Sequence, residues 1–179
     1  MIFTVVDKER SENMARERKL AYCSLSDKKK EFKWWEKNGH AWEMRSLKAV
    51  ELADPALDGA YRRFASVIQG ICWFRGEAQD IIDNIVIGSV AITYYDDDAP
   101  RSIAIKGERY INSIGYVRIC LPKIFENSSD NYFAERKLPQ LIDDLESECF
   151  KYIDGCRAQQ SLEFEKATEE AEKAKEGTE

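Results

Sequence analysis

Leu138, Ile142, Leu145, Cys149, Tyr152 and Cys156 recur at spacings of 4, 3, 4, 3 and 4, and this stripe restricts the fold more tightly than any other feature of the chain. The spacing puts all six side chains on one side of an α-helix, with Leu141 and Ile153 beside them. A strand would scatter the same residues over both of its faces. Pro139 falls in the first turn, where its missing N–H leaves no hydrogen bond unmade. The stripe predicts a helix over about 138–160 whose apolar face must be covered. Either a sheet of the same chain or a second copy in a homodimer would cover it, and the periodicity is compatible with both.

A sheet is expected from residues 85–95, Ile-Val-Ile-Gly-Ser-Val-Ala-Ile-Thr-Tyr-Tyr, which are rich in β-branched and aromatic types. Asp96-Asp97-Asp98-Ala99-Pro100 breaks the run as a turn. Ser102–Lys106 and Gly115–Leu121 read as two further strands, the last closed by Pro122. Connections this short favour an antiparallel meander over about 85–121, because parallel strands need long crossovers. The apolar residues 2–6 read as a fourth, N-terminal strand.

Two more helices are predicted. Asp54 can cap free amides and Pro55 suits a first turn. Leu57, Tyr61, Phe64, Ile68 and Ile71 then follow at helical spacing, giving a helix over about 55–75. A short helix through residues 77–83 follows it. Ser24-Leu25-Ser26-Asp27 resembles a capping box, and Leu25, Phe32 and Trp35 share one helical face, which predicts a helix over about 25–38 that stops at Asn38-Gly39. The expected class is α+β. Residues 1–160 are expected to form one domain, and residues 161–179 a charged helical extension or tail, since residues 165–179 are Glu, Lys, Ala and Thr with one Gly.

The chain carries few of the residues that common chemistries require. Its five cysteines form no Cys-x-x-Cys pair and are expected as free thiols in a reducing, cytoplasmic setting. His40 is the sole histidine, which leaves zinc and Ser-His-Asp chemistry short of ligands and bases. Phosphate-binding glycine loops and a nucleophile elbow are absent. No apolar window reaches membrane-spanning length. No catalytic residue, metal site or cofactor is therefore assigned, and a membrane is not among the expected partners.

Charge is unevenly distributed. Residues 1–50 hold 12 Lys/Arg against 8 Asp/Glu, whereas residues 137–179 hold 6 against 12, within a net charge of −6. Most of the basic surplus lies in Lys28-Lys29-Lys30-Glu31-Phe32-Lys33-Trp34-Trp35-Glu36-Lys37. Read as a helix, this segment buries Phe32 and Trp35 and leaves Trp34 exposed. Trp34 and Trp42 then become candidates for a partner-binding surface, since Trp is enriched at interface hot spots. The leading expectation is a small non-enzymatic protein that binds another protein as a regulator or inhibitor, of the kind phages and mobile elements often encode. A second reading is nucleic-acid binding, with Lys28, Lys29, Lys30, Lys33 and Lys37 supplying cations and the tryptophans stacking bases. A third is a Mg²⁺-dependent enzyme using Asp96 and Asp98. Glu77, Asp80, Asp83, Glu146 and Glu148 read as solvated acids.

Overall fold

Strict alternation, not helical periodicity, governs residues 30–38. Lys30, Phe32, Trp34 and Glu36 are buried, while Lys33, Trp35 and Lys37 are exposed. That is the two-residue period of a strand with one face covered. The computed structural model describes residues 17–26, 28–51, 53–72, 78–95, 99–127 and 138–155. In chain order they form β1 (Arg18–Leu25), β2 (Lys30–Asn38), β3 (Ala41–Ala49), α1 (Pro55–Arg62), α2 (Phe64–Cys72), α3 (Ala78–Asp83), β4 (Ile85–Thr93), β5 (Ser102–Ile111), β6 (Gly115–Cys120), β7 (Ile124–Phe125) and a helix over residues 138–155, α4.

The class is α+β, as expected, but the sheet is larger than three or four strands. Seven strands pair antiparallel in the order β3-β2-β1-β4-β5-β6, and β7 adds to the far end of β5. The predicted meander is its β4–β6 half. The other half replaces the helix expected over 25–38. There the Ser26 hydroxyl turns the chain between β1 and β2, donating to Lys29 O at 2.8 Å and accepting from Lys29 N at 3.2 Å. Asn38-Gly39, read as a helix stop, begins a two-residue hairpin turn, with Asn38 paired to Ala41 and Gly39 at φ +63°. Gly39 and His40 are the two turn residues, and the first of them must take positive φ, which glycine adopts without strain.

The helix expected over 55–75 breaks at Arg63 into α1 and α2. Asp54 caps α1, its Oδ1 accepting from Ala56 N at 2.9 Å, and Leu57, Tyr61, Phe64 and Ile68 are buried as the stripe requires. Leu138, Leu141, Ile142, Leu145, Cys149 and Ile153 of α4 are buried in the same core. The covering surface is thus the chain's own sheet. The proposed strand 2–6, Cys156, the 161–179 extension and Asp96, Asp97 and Asp98 all lie outside the described residues.

All the described long helices pack on one side of the sheet. From α4, Cys149 Sγ lies 3.6 Å from Cys23 Sγ of β1, and Arg18 of β1 makes paired 2.7 and 2.9 Å bonds to Asp154. Arg63, between α1 and α2, bridges Asp144 of α4 at 2.8 Å. From α2, Ile68 reaches Gly107 of β5, where an added Cβ would lie 2.9 Å from both Ile68 Cδ1 and Val86 O. Residues paired across strands share a face, so the covered side runs through Phe32, Cys23, Val90 and Ile105. Burying each large apolar side chain there contributes roughly 1.5–3 kcal/mol. Antiparallel sheets can leave their other face to water, and no described element packs on this one.

Candidate binding face on the uncovered side of the sheet

The register assigns the uncovered side of β1–β3 row by row. Trp42 pairs with Lys37, Met44 with Trp35 and Trp35 with Lys19. Ser46 pairs with Lys33 and Lys33 with Tyr22, and Lys48 pairs with Glu31. On the β4–β6 half, the same side carries Val86 opposite Glu108, Ser89 opposite Lys106, Lys106 opposite Cys120 and Glu108 opposite Arg118. Tyr110 opposite Tyr116 and Ser102 opposite Phe125 complete it.

Ten large apolar side chains are exposed among the described residues, and eight lie on this side. They are Trp35, Trp42 and Met44 on β2 and β3, Val86 on β4, Tyr95 and Phe125 beside the Ser102 end of β5, and Tyr110 and Tyr116 at its opposite end. Tyr95 belongs with them because its hydroxyl sits 3.2 Å from Ser102 Oγ and its ring stacks on Phe125 at 5.9 Å. Val50 and Ile114, the remaining two, lie in connections. Scattered exposed apolar residues are normal on any protein. Eight collected on one sheet face make that face the candidate binding surface.

Cations stand among these rings. Lys19 Nζ lies 4.7 Å from the Trp42 ring centre and 5.5 Å from that of Tyr94, with Lys37 Nζ 5.7 Å from Trp42. Lys33 Nζ lies 5.4 Å from Tyr22. These separations are within cation–π range, and at exposed sites each is worth about 0.5–1 kcal/mol. Six cations (Lys19, Lys33, Lys37, Lys48, Lys106, Arg118) share the face with three carboxylates (Glu17, Glu31, Glu108). The face is net positive on a chain whose net charge is −6. Two bulges, at Leu20/Tyr22 in β1 and Ile87/Ser89 in β4, bend the sheet. Beside them lies a hollow of about 570 Å³ lined by Tyr22, Val86, Gly88, Lys106, Arg118 and Cys120 among others.

The residues proposed from sequence divide between the two sides. Trp42, Lys33 and Lys37 are on the uncovered face. Trp34 is not: it is 1% exposed, paired with Leu20 in the core, while Trp35 is 37% exposed. The two tryptophans exchange the places a helix would have given them, because adjacent residues of a strand point to opposite faces. Lys30 is buried on the covered side at the start of β2, and Lys28 and Lys29 sit on the β1–β2 turn. His40 is exposed in the β2–β3 turn. Lys19, Met44, Lys106, Arg118 and the Tyr110–Tyr116 pair also lie on this face and are not marked out by the sequence alone. For Met44 the signal available was the alternation Lys33-Trp35-Lys37 facing Trp42-Met44-Ser46-Lys48 across Asn38-Gly39; the others come together only through the pairing of the sheet.

Glu146 is not a solvated acid. Its Oε1 accepts from Leu20 N at 2.9 Å and from the Tyr94 hydroxyl, and its Oε2 from Arg101 at 3.0 Å. Arg101 also holds Glu126 at 2.8 Å and Asp143 at 2.8 Å. Burial raises the Glu146 carboxyl above its ordinary value, and the bonds from Tyr94 and Leu20 only partly offset this. Burial, then the neighbouring Glu146 charge, pushes the Tyr94 hydroxyl up as well. With both Glu146 oxygens engaged, the cluster serves as a joint between α4 and the sheet. No group of three or more His, Cys, Asp or Glu side chains among the described residues is arranged to hold a metal ion, and no described helix is long and apolar enough to cross a membrane. Compared with known proteins, the chain matches no family model, no curated protein and no solved structure.

Proposed function

We propose that this protein acts by binding a macromolecule on the uncovered face of its sheet. The observation that carries this reading is the gathering, among the described residues, of eight of the ten exposed large apolar side chains on that one face. A folded chain gains nothing in its own stability from rings held half in water. A partner that covers them gains apolar contact area, and the strands beneath already hold them in place. The reading retains the binding role expected from the sequence and moves its centre from Trp34 to Trp35, Trp42 and Met44. A protein regulator's partner and a nucleic acid both suit exposed aromatic rings, and the charge of the face is what separates them.

The test is a Trp35→Ala/Trp42→Ala double variant. Both rings are only partly buried, so the circular dichroism spectrum and urea midpoint should stay close to wild type. Immobilised wild-type protein should retain a defined macromolecule from an extract of its native cell, and the double variant should lose it. Retention by both proteins alike would refute the reading.

A further inference from the structure

We infer that the occupant of the uncovered face is a single-stranded nucleic acid lying across the strands. This rests on that face being the binding face, and it adds the chemistry of the partner. Protein interface cores are depleted in lysine, whereas nucleic-acid interfaces are strongly cationic. Here Lys19, Lys33 and Lys37 stand between 4.7 and 5.7 Å from ring centres on the face itself. Lys19 and Lys37 flank Trp42, Lys33 lies beside Tyr22, and Lys106 and Arg118 line the hollow. The surplus of cations over Glu17, Glu31 and Glu108 is opposite in sign to the chain as a whole. A polyanion is therefore drawn to this face and repelled elsewhere.

The rings select a single strand. Paired bases hide their faces in the stack, while unpaired bases offer a π-surface to every exposed ring. Trp35 and Trp42 occupy the β3–β2 end, and the Tyr110–Tyr116 pair, 5.2 Å between centres, occupies β5 and β6. Six strands side by side, at about 4.8 Å each, separate β3 from β6 by about 24 Å. Through Tyr22 and Ala91, Lys33 is level with Ala104, and Tyr110 lies further along β5 on the side away from Trp35, so the path between the two groups of rings runs diagonally and is long enough for several nucleotides. The hollow between the aromatic ends places Lys106 and Arg118 where a backbone crossing the sheet would pass. Recognition of this kind uses ring faces and phosphates, so thymidine and uridine oligomers should both bind with little sequence preference.

The experiment is fluorescence anisotropy with labelled oligothymidylate and oligouridylate of about 12 nucleotides, a length within the site sizes of single-strand binders. A blunt duplex of the same length serves as the comparison. Single-strand binding should be saturable and at least about tenfold tighter than binding to duplex. Affinity should fall by roughly tens of fold between about 50 and 200 mM salt, as several neutralised phosphates require. Trp35→Ala and Trp42→Ala should each weaken binding about tenfold, the scale of a lost base stack. Lys33→Glu/Lys37→Glu and Lys106→Glu/Arg118→Glu should abolish it at the higher salt. Lys28→Glu/Lys29→Glu, on the turn, should have a much smaller effect.

Absence of saturable single-strand binding at low salt would overturn the inference, as would equal affinity for duplex or indifference to the tryptophan variants. A parallel capture from nuclease-treated extract separates this failure from that of the binding reading. A protein retained by wild type and lost by Trp35→Ala/Trp42→Ala, with no oligomer bound, overturns the nucleic acid and keeps the face. Failure of both assays overturns both.

Discussion

Trp34 and Trp35 are neighbours of the same type with opposite surroundings, and mutating each in turn tests the β2 register. Trp34 fills the core opposite Leu20, so Trp34→Ala should cost about 3–5 kcal/mol by removing a large buried ring and leaving a cavity. Trp35 is 37% exposed, and Trp35→Ala should cost less than about 1 kcal/mol, the usual range for a surface position. Urea unfolding of the two variants measures the difference directly. Equal costs would mean that the segment alternates differently from the strand described.

Among the elements, the contact of α2 with β5 depends on one missing side chain. Gly107 lets Ile68 of α2 and the Val86 carbonyl of β4 approach to where a Cβ would stand, at 2.9 Å from each. The backbone carbonyl has little freedom to retreat. Gly107→Ala should therefore destabilise by about 1–3 kcal/mol, the range for overpacking, and lower the melting temperature by several degrees. Gly88→Ala on the adjacent strand meets Lys106 O at 3.4 Å and should be milder, which makes it the natural control. The elements that were legible in the sequence are those with a long, repeated apolar period. The 138–155 helix, the Leu57–Ile68 stripe and the β-branched run from Ile85 each carry enough repeats to exclude the alternative period. Residues 25–38 carry only three apolar residues at helical spacing, and the alternation of Lys30, Phe32, Trp34 and Glu36 was hidden because two of its four buried members are charged.

Across the whole molecule, Glu146 ties α4 to β1 through Leu20 and, through Tyr94 and Arg101, to the segment between β4 and β5. Glu146→Ala leaves Arg101 with fewer partners and the Tyr94 hydroxyl and Leu20 N–H without this acceptor. The expected cost is about 2–4 kcal/mol. The pH dependence carries a definite sign. Burial raises the folded-state pKa of Glu146 above its ordinary 4.5, so the folded protein takes up this proton before the unfolded chain does. The stability from that protonation is fully present below the unfolded value, near 4.5, and is lost as pH rises through the raised folded value. The stability difference between wild type and Glu146→Ala should therefore widen as pH is lowered from 7 toward 4.5, as measured by urea midpoints of both proteins at each pH. A difference that narrowed would show that the attraction of Arg101 outweighs the burial of Glu146.

The sequence by itself determined the α+β class, the β4–β6 meander, the helices that begin at Asp54-Pro55 and at Leu138-Pro139, and an excess of rings and lysines in the N-terminal third. Each follows from interactions within a few residues, where periodicity, caps and turn chemistry act. Only the tertiary structure decided that residues 30–38 are a strand, that Glu146 is enclosed and that the rings and cations of both sheet halves share one uncovered face. The pairing of Tyr22 and Cys23 with Ala91 and Val90 joins segments almost seventy residues apart, and a strand's stability depends on such neighbours more than on its own composition. Which face the helices cover is settled by that pairing, and the candidate binding face is the one they leave open.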